Sequence, residues 1–182
     1  MTAPAGLFGN YKGTTEAFYQ VGLGGAIYYE PAAANPTTPT PVDGSLYYNT
    51  AIDKWMAYDG TRSKWLSVES ATFQAGRNGN TGVGVYYRGI NGQALSAVDG
   101  YTAPFDGTVV EMGYTRQDTD AATFEITAGG TAVATLASAA LKGKSVTLDG
   151  DFSADDVLAA RNQTGGNTTS DVQLWFKVRW RT

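Results

Sequence analysis

A chain of 182 residues is long enough for one sizeable domain, or for a small module followed by a larger one. Charged residues make up 16% of it and aromatic residues 12%, a balance that favours β-structure and excludes a disordered chain. The net charge is −4 without a long basic run, which argues against nucleic-acid binding. The lack of cysteine and histidine excludes disulfides, thiolate metal sites and Ser-His-Asp or Cys-His catalysis.

Residues 1–43 predict an extended arm rich in glycine, proline and aromatic residues. Because proline fixes φ and constrains the residue before it, the proline-rich stretch 31–41 cannot be a helix. The first ten residues lack the basic and apolar regions of a secretory signal, so we expect a protein made in the cytoplasm. Six aromatic residues of the arm need a surface on which to dock, either on the same chain or on a neighbouring subunit. They are Phe8, Tyr11, Phe18, Tyr19, Tyr28 and Tyr29.

Residues 44–70 predict a small three-stranded meander. The predicted strands are 45–49, 54–58 and 64–68, with turn signals between them. A sheet of this size is only marginally stable by itself and is too small to bury all of its aromatic rings. We therefore predict that it leans on another surface, and that its aromatic residues contact a partner. These candidates are Tyr47, Tyr48, Trp55 and Trp65.

Residues 71–182 predict the main domain, an all-β sandwich of about eight strands. The predicted strands are 72–75, 84–88, 108–115, 123–127, 132–137, 145–148, 155–160 and 172–180, with turn-forming pairs such as Asn78-Gly79 between them. The alanine-rich stretch 132–141 also fits a helix, although its alternation favours a strand, and 155–161 is ambiguous. In the last strand, Lys177, Arg179 and Arg181 alternate with apolar residues and predict a polar face.

Two sets of residues resemble known proteins. The stretch Gly44-Ser45-Leu46-Tyr47-Tyr48-Asn49-Thr50, followed by 54–60 and 64–68, resembles a short module of bacteriophage tail and fibre proteins. In the larger domain, Gly100-Tyr101-Thr102-Ala103-Pro104, the stretches 106–110 and 151–157, and the long last strand resemble the jelly-roll modules of phage fibres and head decoration proteins.

The resemblance implies a structural protein of a tailed-bacteriophage virion with a jelly-roll-like β-sandwich. It implies that 106–110 opens a core strand, that 151–157 precedes another, and that the final strand closes the sheet. Asp155 stands where such modules more usually have glycine. Because these modules generally form homotrimers, the resemblance also implies a homotrimer here.

Few side chains suggest catalysis or metal binding. Asp118 with Asp120, and Asp151 with Asp155 or Asp156, are the candidate acid/base pairs of a glycosidase. All lie in turn-like stretches, where Asp usually bonds nearby backbone, so structural roles are favoured. The stretches 118–120 and 149–151 offer clustered oxygens for calcium but lack the twelve-residue loop pattern. We predict no catalytic residue, metal or cofactor.

The leading functional prediction is a non-enzymatic virion protein: a trimeric capsid cement or decoration protein. It would bind the major capsid protein, or another virion protein, through its arm and aromatic edges, with no nucleic-acid or membrane partner. A short tail- or head-fibre component that binds a receptor glycan is the alternative, and a carbohydrate-active depolymerase is a third. On the leading prediction, deletion of residues 1–41 leaves a folded trimer that no longer attaches to particles.

Overall fold

The computed structural model describes residues 20–21, 27–28, 31–37, 40–164 and 169–182, with side chains for 31–37, 40–164 and 170–182. Within these ranges the chain contains β-strands and no helix, which confirms the all-β prediction. The fold divides into two compact units, Met1–Val68 and Glu69–Thr182. The boundary lies close to the one predicted between the meander and the sandwich.

The first unit contains a two-stranded pair and a three-stranded antiparallel meander. The pair is β1 (Gln20–Val21) with β2 (Ile27–Tyr28), and the meander is β3 (Leu46–Asn49), β4 (Lys54–Asp59) and β5 (Lys64–Ser67). Each meander strand lies within one residue of its predicted ends, because alternation and the Asp59-Gly60 turn signal both agree with the final pairing.

Part of the predicted arm packs along this meander. Ala32 forms a parallel bridge with Asn49, and the indole Nε1 of Trp65 donates a hydrogen bond to the carbonyl of Pro36 at 3.0 Å. The hydroxyl of Tyr47 donates to Oδ1 of Asn35 at 2.6 Å. Residues 32–36 therefore belong to the folded unit.

The second unit is a β-sandwich of two antiparallel sheets. The four-stranded sheet has the order β11-β10-β14-β8, and the six-stranded sheet has the order β12-β9-β15-β6-β7, with β13 also paired to β9. These strands are β6 (Ser70–Thr81), β7 (Arg88–Gly89), β8 (Tyr101–Thr102), β9 (Gly107–Thr115), β10 (Ala122–Ala128), β11 (Thr131–Ser138), β12 (Lys142–Ser145), β13 (Gly150–Phe152), β14 (Val157–Thr164) and β15 (Thr169–Trp180). The jelly-roll connectivity stays a prediction.

The core of the sandwich lies between the two sheets. Phe176 and Val178 of β15 are fully buried, and the ring of Tyr114 on β9 lies 4.9 Å from that of Phe124 on β10 in the opposite sheet. Each such apolar side chain contributes about 1.5–3 kcal/mol by leaving water. Lys177 and Arg179 alternate with these residues and are only partly buried, so the predicted polar face of this strand is confirmed.

The stretches that carry the resemblance lie where it implies, with one exception. Residues 106–110 lead into β9 and residues 151–157 lead into β14. However, β15 does not close a sheet, because it pairs with β9 on one side and with β6 on the other. Its length and its buried apolar face suit a central strand, which needs pairing on both edges.

Four further expectations are resolved or corrected. The stretch 132–141 forms strand β11 rather than a helix, and 155–161 becomes a turn followed by β14. The short strand predicted at 145–148 is instead β12, Lys142–Ser145. Residues 84–88 contribute only their last residue to β7, but Tyr86 forms an isolated bridge with Arg161 of β14.

Candidate binding faces

One face of the meander is its own small core. Tyr47, Met56 and Trp65 form a buried cluster, in which the rings of Tyr47 and Trp65 meet edge-on at 4.9 Å. Tyr47 is only 3% exposed. The expectation that the meander cannot bury these two aromatic residues is therefore wrong, because residues 32–36 of the arm complete the cluster.

The opposite face of the meander is apolar and partly exposed. Tyr48 and Trp55 are cross-strand partners whose ring centroids lie 5.4 Å apart, and the indole of Trp55 is 40% exposed. Leu46 and Val68 are also exposed, and the N–H of Val68 bonds the carbonyl of Trp55 at 2.8 Å. We name these four residues, Leu46, Tyr48, Trp55 and Val68, the meander face. Of the four aromatic residues predicted to contact a partner, Tyr48 and Trp55 lie on it.

The other predicted contact residues lie in the arm. Phe8, Tyr11, Phe18, Tyr19 and Tyr29 are outside the described residues, and only the backbone of Tyr28 is described, in β2. Their docking stays a prediction.

The first candidate carboxylate pair is built into the fold. Oδ2 of Asp118 accepts the N–H of Ser170 at 2.6 Å, and its Oδ1 accepts the N–H of Asp120 at 3.2 Å. The buried guanidinium of Arg116 lies 3.2 Å from the same carboxylate and also donates to the carbonyl of Asp120. Asp118 thus holds two chain segments together.

The second candidate set is likewise used for folding. Oδ1 of Asp151 accepts the hydroxyl of Thr108 at 2.6 Å, and Oδ2 of Asp156 accepts the N–H of Ser153 at 2.8 Å. Asp155 has a φ of 66°, a left-handed conformation that a turn requires here. All three have structural roles, as the sequence favours, although Asp151 lies in strand β13 rather than in a turn. Among the described residues, no group of three or more acidic side chains is arranged to hold a metal ion.

A buried ion pair lies in the four-stranded sheet and is not apparent from the sequence. Glu125 of β10 is directly opposite Arg161 of β14 and accepts a hydrogen bond from its Nε. The guanidinium also lies 5.4 Å from the ring centroid of Tyr86 and donates to its hydroxyl at 3.2 Å. Burial lowers the pKa of Arg161, but the bond and charge of Glu125 outweigh this and raise it above its usual value. The role of this ion pair is therefore structural.

A second buried polar group lies near Arg116. The ring of Tyr87 packs against Phe124, with centroids 6.2 Å apart, and its hydroxyl has no hydrogen-bond partner among the described residues. Burial raises the pKa of this phenol well above its ordinary value, and the charge of Arg116 opposes the shift only in part. Neither group is exposed enough to bind a ligand.

The outer face of the six-stranded sheet carries a half-buried tryptophan. Trp175 lies between Leu174 and Phe176, which both point into the core, so its indole projects from the other side of the sheet. Its register partners are Gln74 on β6 and Gly113 on β9. A Cβ at Gly113 would lie only 2.6–2.7 Å from three atoms of the indole. The ring therefore lies over Gly113, where the sheet offers a flat surface.

Two rows of side chains cross this outer face. In the first row, Lys144 of β12 is opposite Gly113 and therefore shares the face with Gln74 and Trp175. The second row, one pleat away, runs from Arg88 through Gly76, Gln173 and Thr115 to Lys142. Side chains of directly paired residues project to the same side of a sheet. We name the residues of these two rows the Trp175 face.

A groove of about 750 Å³ opens on this face. The residues that line it include Gln74, Arg77, Arg88, Thr115, Asp171, Gln173 and Trp175. Its size lies within the range of small-molecule sites, and amides, a hydroxyl, a guanidinium and an indole converge on it.

The charge of the Trp175 face is positive. Arg88, Lys142 and Lys144 are exposed, and none of the described carboxylates pairs with either lysine. One pleat further on, Lys177 is neutralised by Glu111 at 2.7 Å. This excess of positive charge stands out on a chain whose net charge is −4.

No predicted contact residue lies on the Trp175 face. The last strand did carry a hint of this face. Gln173, Trp175 and Lys177 are alternate residues on its polar side, so Trp175 is an aromatic residue between two polar ones. The partners from β6, β7, β9 and β12 depend on register, which a single sequence does not provide.

No protein-family model matches the chain, and no curated protein is similar to it in sequence. Within the described residues, no helix long and apolar enough to cross a membrane is found.

Proposed function

We propose that this chain is a non-enzymatic structural protein of a tailed-bacteriophage virion, and that it acts as a homotrimeric capsid cement or decoration protein. It binds by adhesion rather than turnover. The observation that carries this proposal is the meander face, an apolar and partly exposed surface on the side of the sheet opposite the buried Tyr47 cluster. The sequence resemblance of the meander and the sandwich to phage modules supports the virion setting.

The meander face and the arm together would supply the contact with a neighbouring virion protein. A stable contact buries roughly 800 Å² on each partner, more than Trp55 and its neighbours provide alone. Attachment through three copies raises occupancy without a tight single contact. The carboxylates suited to a depolymerase already bond to backbone and to Arg116, which favours adhesion over hydrolysis.

The arm hypothesis needs a different deletion from the one that the sequence suggests. Residues 32–36 pack against Trp65 and Tyr47, so removal of residues 1–41 would open the small core of the first unit. Deletion of residues 1–30 keeps these contacts. We expect it to leave a folded trimer that no longer attaches to particles.

The experiment compares attachment to particles that lack the protein. The double variant Trp55→Ser, Val68→Ser removes most of the apolar area of the meander face, and Thr61→Ala, at an exposed position between β4 and β5, is the matched control. We expect co-sedimentation with particles to fall at least ten-fold for the double variant and to stay unchanged for the control. Undiminished attachment of the double variant would overturn the role of the meander face.

A short fibre component that binds a receptor glycan is the second candidate function. The Trp175 face favours it, since an aromatic ring beside amide side chains is suited to a polar ligand with a flat apolar side.

A further inference from the structure

We propose that the Trp175 face binds an acidic saccharide, with the indole of Trp175 as its stacking platform. The inference deepens the second candidate function and rests on it. It is tested on the purified chain, so its failure leaves the question of particle attachment untouched.

The platform is the first element of the site. The half-buried indole packs against Gly113 and lines the groove. A pyranose ring presents a patch of C–H groups on one side and hydroxyls around its rim, and the C–H patch stacks on an indole. Such stacking buries apolar area without leaving a hydroxyl unpaired.

The amides are the second element. Gln74 is directly opposite Trp175, and Gln173 lies two residues before it on the same strand. Each amide offers both a donor and an acceptor, which matches the paired hydroxyls on the rim of a sugar. Thr115, opposite Gln173, adds a hydroxyl to the same row.

The cations decide the ligand class. Arg88 donates only one of its N–H groups within the described chain, to the carbonyl of Gly92 at 2.8 Å, so its remaining donors are available to a carboxylate. Lys144 flanks Gly113 on the other side of the indole. Positive charge stands at both ends of the two rows. Asp171 also lines the groove, but its Oδ1 accepts the N–H of Gly79 at 2.7 Å, and the lining includes Arg77 as well as Arg88. The face therefore complements a saccharide that carries carboxylates.

A nucleic acid is the competing polyanion. Proteins that bind single strands stack successive bases on several aromatic rings along a basic groove. The two rows of the Trp175 face hold one aromatic ring, and their amides suit hydroxyls. These features favour the saccharide.

The test measures binding of purified full-length protein to oligogalacturonate and to sialyllactose by calorimetry. Their neutral counterparts are the fully methyl-esterified oligogalacturonate and lactose, and an oligo-dT strand is included. We expect saturable binding of at least one acidic sugar with a dissociation constant on the order of 1 mM or tighter. We expect it to be at least five-fold weaker for the neutral counterpart and weaker in higher salt.

Variants locate the site. Trp175→Ala should weaken binding at least ten-fold, and Trp175→Phe should weaken it less. Arg88→Gln or Lys144→Gln should weaken binding several-fold and should also make it less dependent on salt. Thr135→Ala, at an exposed position of the other sheet, should bind like the unaltered protein, and circular dichroism should show that every variant is folded. The proposal is overturned if neither acidic sugar binds, if Trp175→Ala binds normally, or if oligo-dT binds more tightly than the sugars.

Discussion

Trp175 and Gly113 are cross-strand partners in which the side chain of one occupies the space that the other leaves empty. The indole atoms Cε2, Cζ2 and Nε1 would lie 2.6–2.7 Å from a Cβ at position 113. Real contacts are never so short, so the glycine is what permits the ring to lie on the sheet. The orientation of the platform is thus set by a residue on a different strand.

Gly113→Ala should therefore damage the platform more than the fold. The new methyl pushes the indole away from the sheet, and because the ring is at the far end of a side chain, the sandwich can adapt. We expect a loss of stability of about 1 kcal/mol, since overpacking at such a site is mild, and a several-fold loss of saccharide affinity. Calorimetric titration and thermal unfolding of the same samples measure the two effects. Unchanged binding with a lowered melting temperature would contradict the platform role.

Replacement of Arg161 alone should lower the stability of the fold more than replacement of both members of the ion pair. In Arg161→Met, the carboxylate of Glu125 stays buried without its partner, which costs about 3 kcal/mol, at the lower end of the usual range because the Arg161 side chain is 28% exposed. The double variant Glu125→Met, Arg161→Met should lose less unfolding free energy, because no charge remains buried. Denaturant unfolding compares the two. A double variant at least as unstable as the single one would argue against this account.

Stability above pH 10 should depend on Tyr87. The folded state holds the phenol proton more tightly than the unfolded chain, whose tyrosine pKa is 10.0. The contribution of Tyr87 is therefore complete below pH 10 and is lost as pH rises toward the folded pKa. Tyr87→Phe has no such proton. Between pH 9 and pH 11 its unfolding free energy should therefore fall by about 1 kcal/mol less than that of the unaltered protein. The other tyrosines titrate in both proteins. Parallel stability curves for the two would show that the phenol is not protected.

Asp155 should accept glycine but not alanine. Its φ of 66° is in the left-handed region, which disfavours a Cβ but which Asp tolerates through local hydrogen bonds. We expect Asp155→Ala to lower the unfolding free energy by about 1 kcal/mol and Asp155→Gly to leave it nearly unchanged. Ala154→Gly, at a neighbouring residue without positive φ, is the control and should be destabilising. Equal losses for the two changes at Asp155 would indicate that its side chain, rather than its conformation, matters.

The strands that the sequence predicted best are those whose local pattern agrees with their pairing. β9, β10 and β11 each lie within one residue of their predicted ends, where turn residues bound them. β12 was misplaced because it is short and polar, and its pairing to β9 decides its bounds. Asn78-Gly79 predicts a turn, yet Gly79, with a φ of 76°, lies in a bulge of β6 opposite β15. Turns and bulges both use positive φ, so the dipeptide does not distinguish them.

The candidate site was harder to predict than the fold. Trp55 was identified because a small meander has little room for rings, whereas the burial of Tyr47 depends on residues 32–36, which are distant from it in the sequence. Trp175 belongs to a strand whose aromatic residues are mostly core, and its importance depends on Gly113, Gln74 and Lys144 from three other strands. Such neighbours follow from register, which is a property of the whole sheet.

The proposed role in a virion is tested most directly by quantitative mass spectrometry of purified phage particles. We expect the chain to be a component of the particle, in a copy number comparable with that of the major capsid protein, and to be retained through density-gradient purification. A handful of copies per particle would favour the fibre candidate over the cement protein. Complete absence of the chain from purified particles would contradict the proposal.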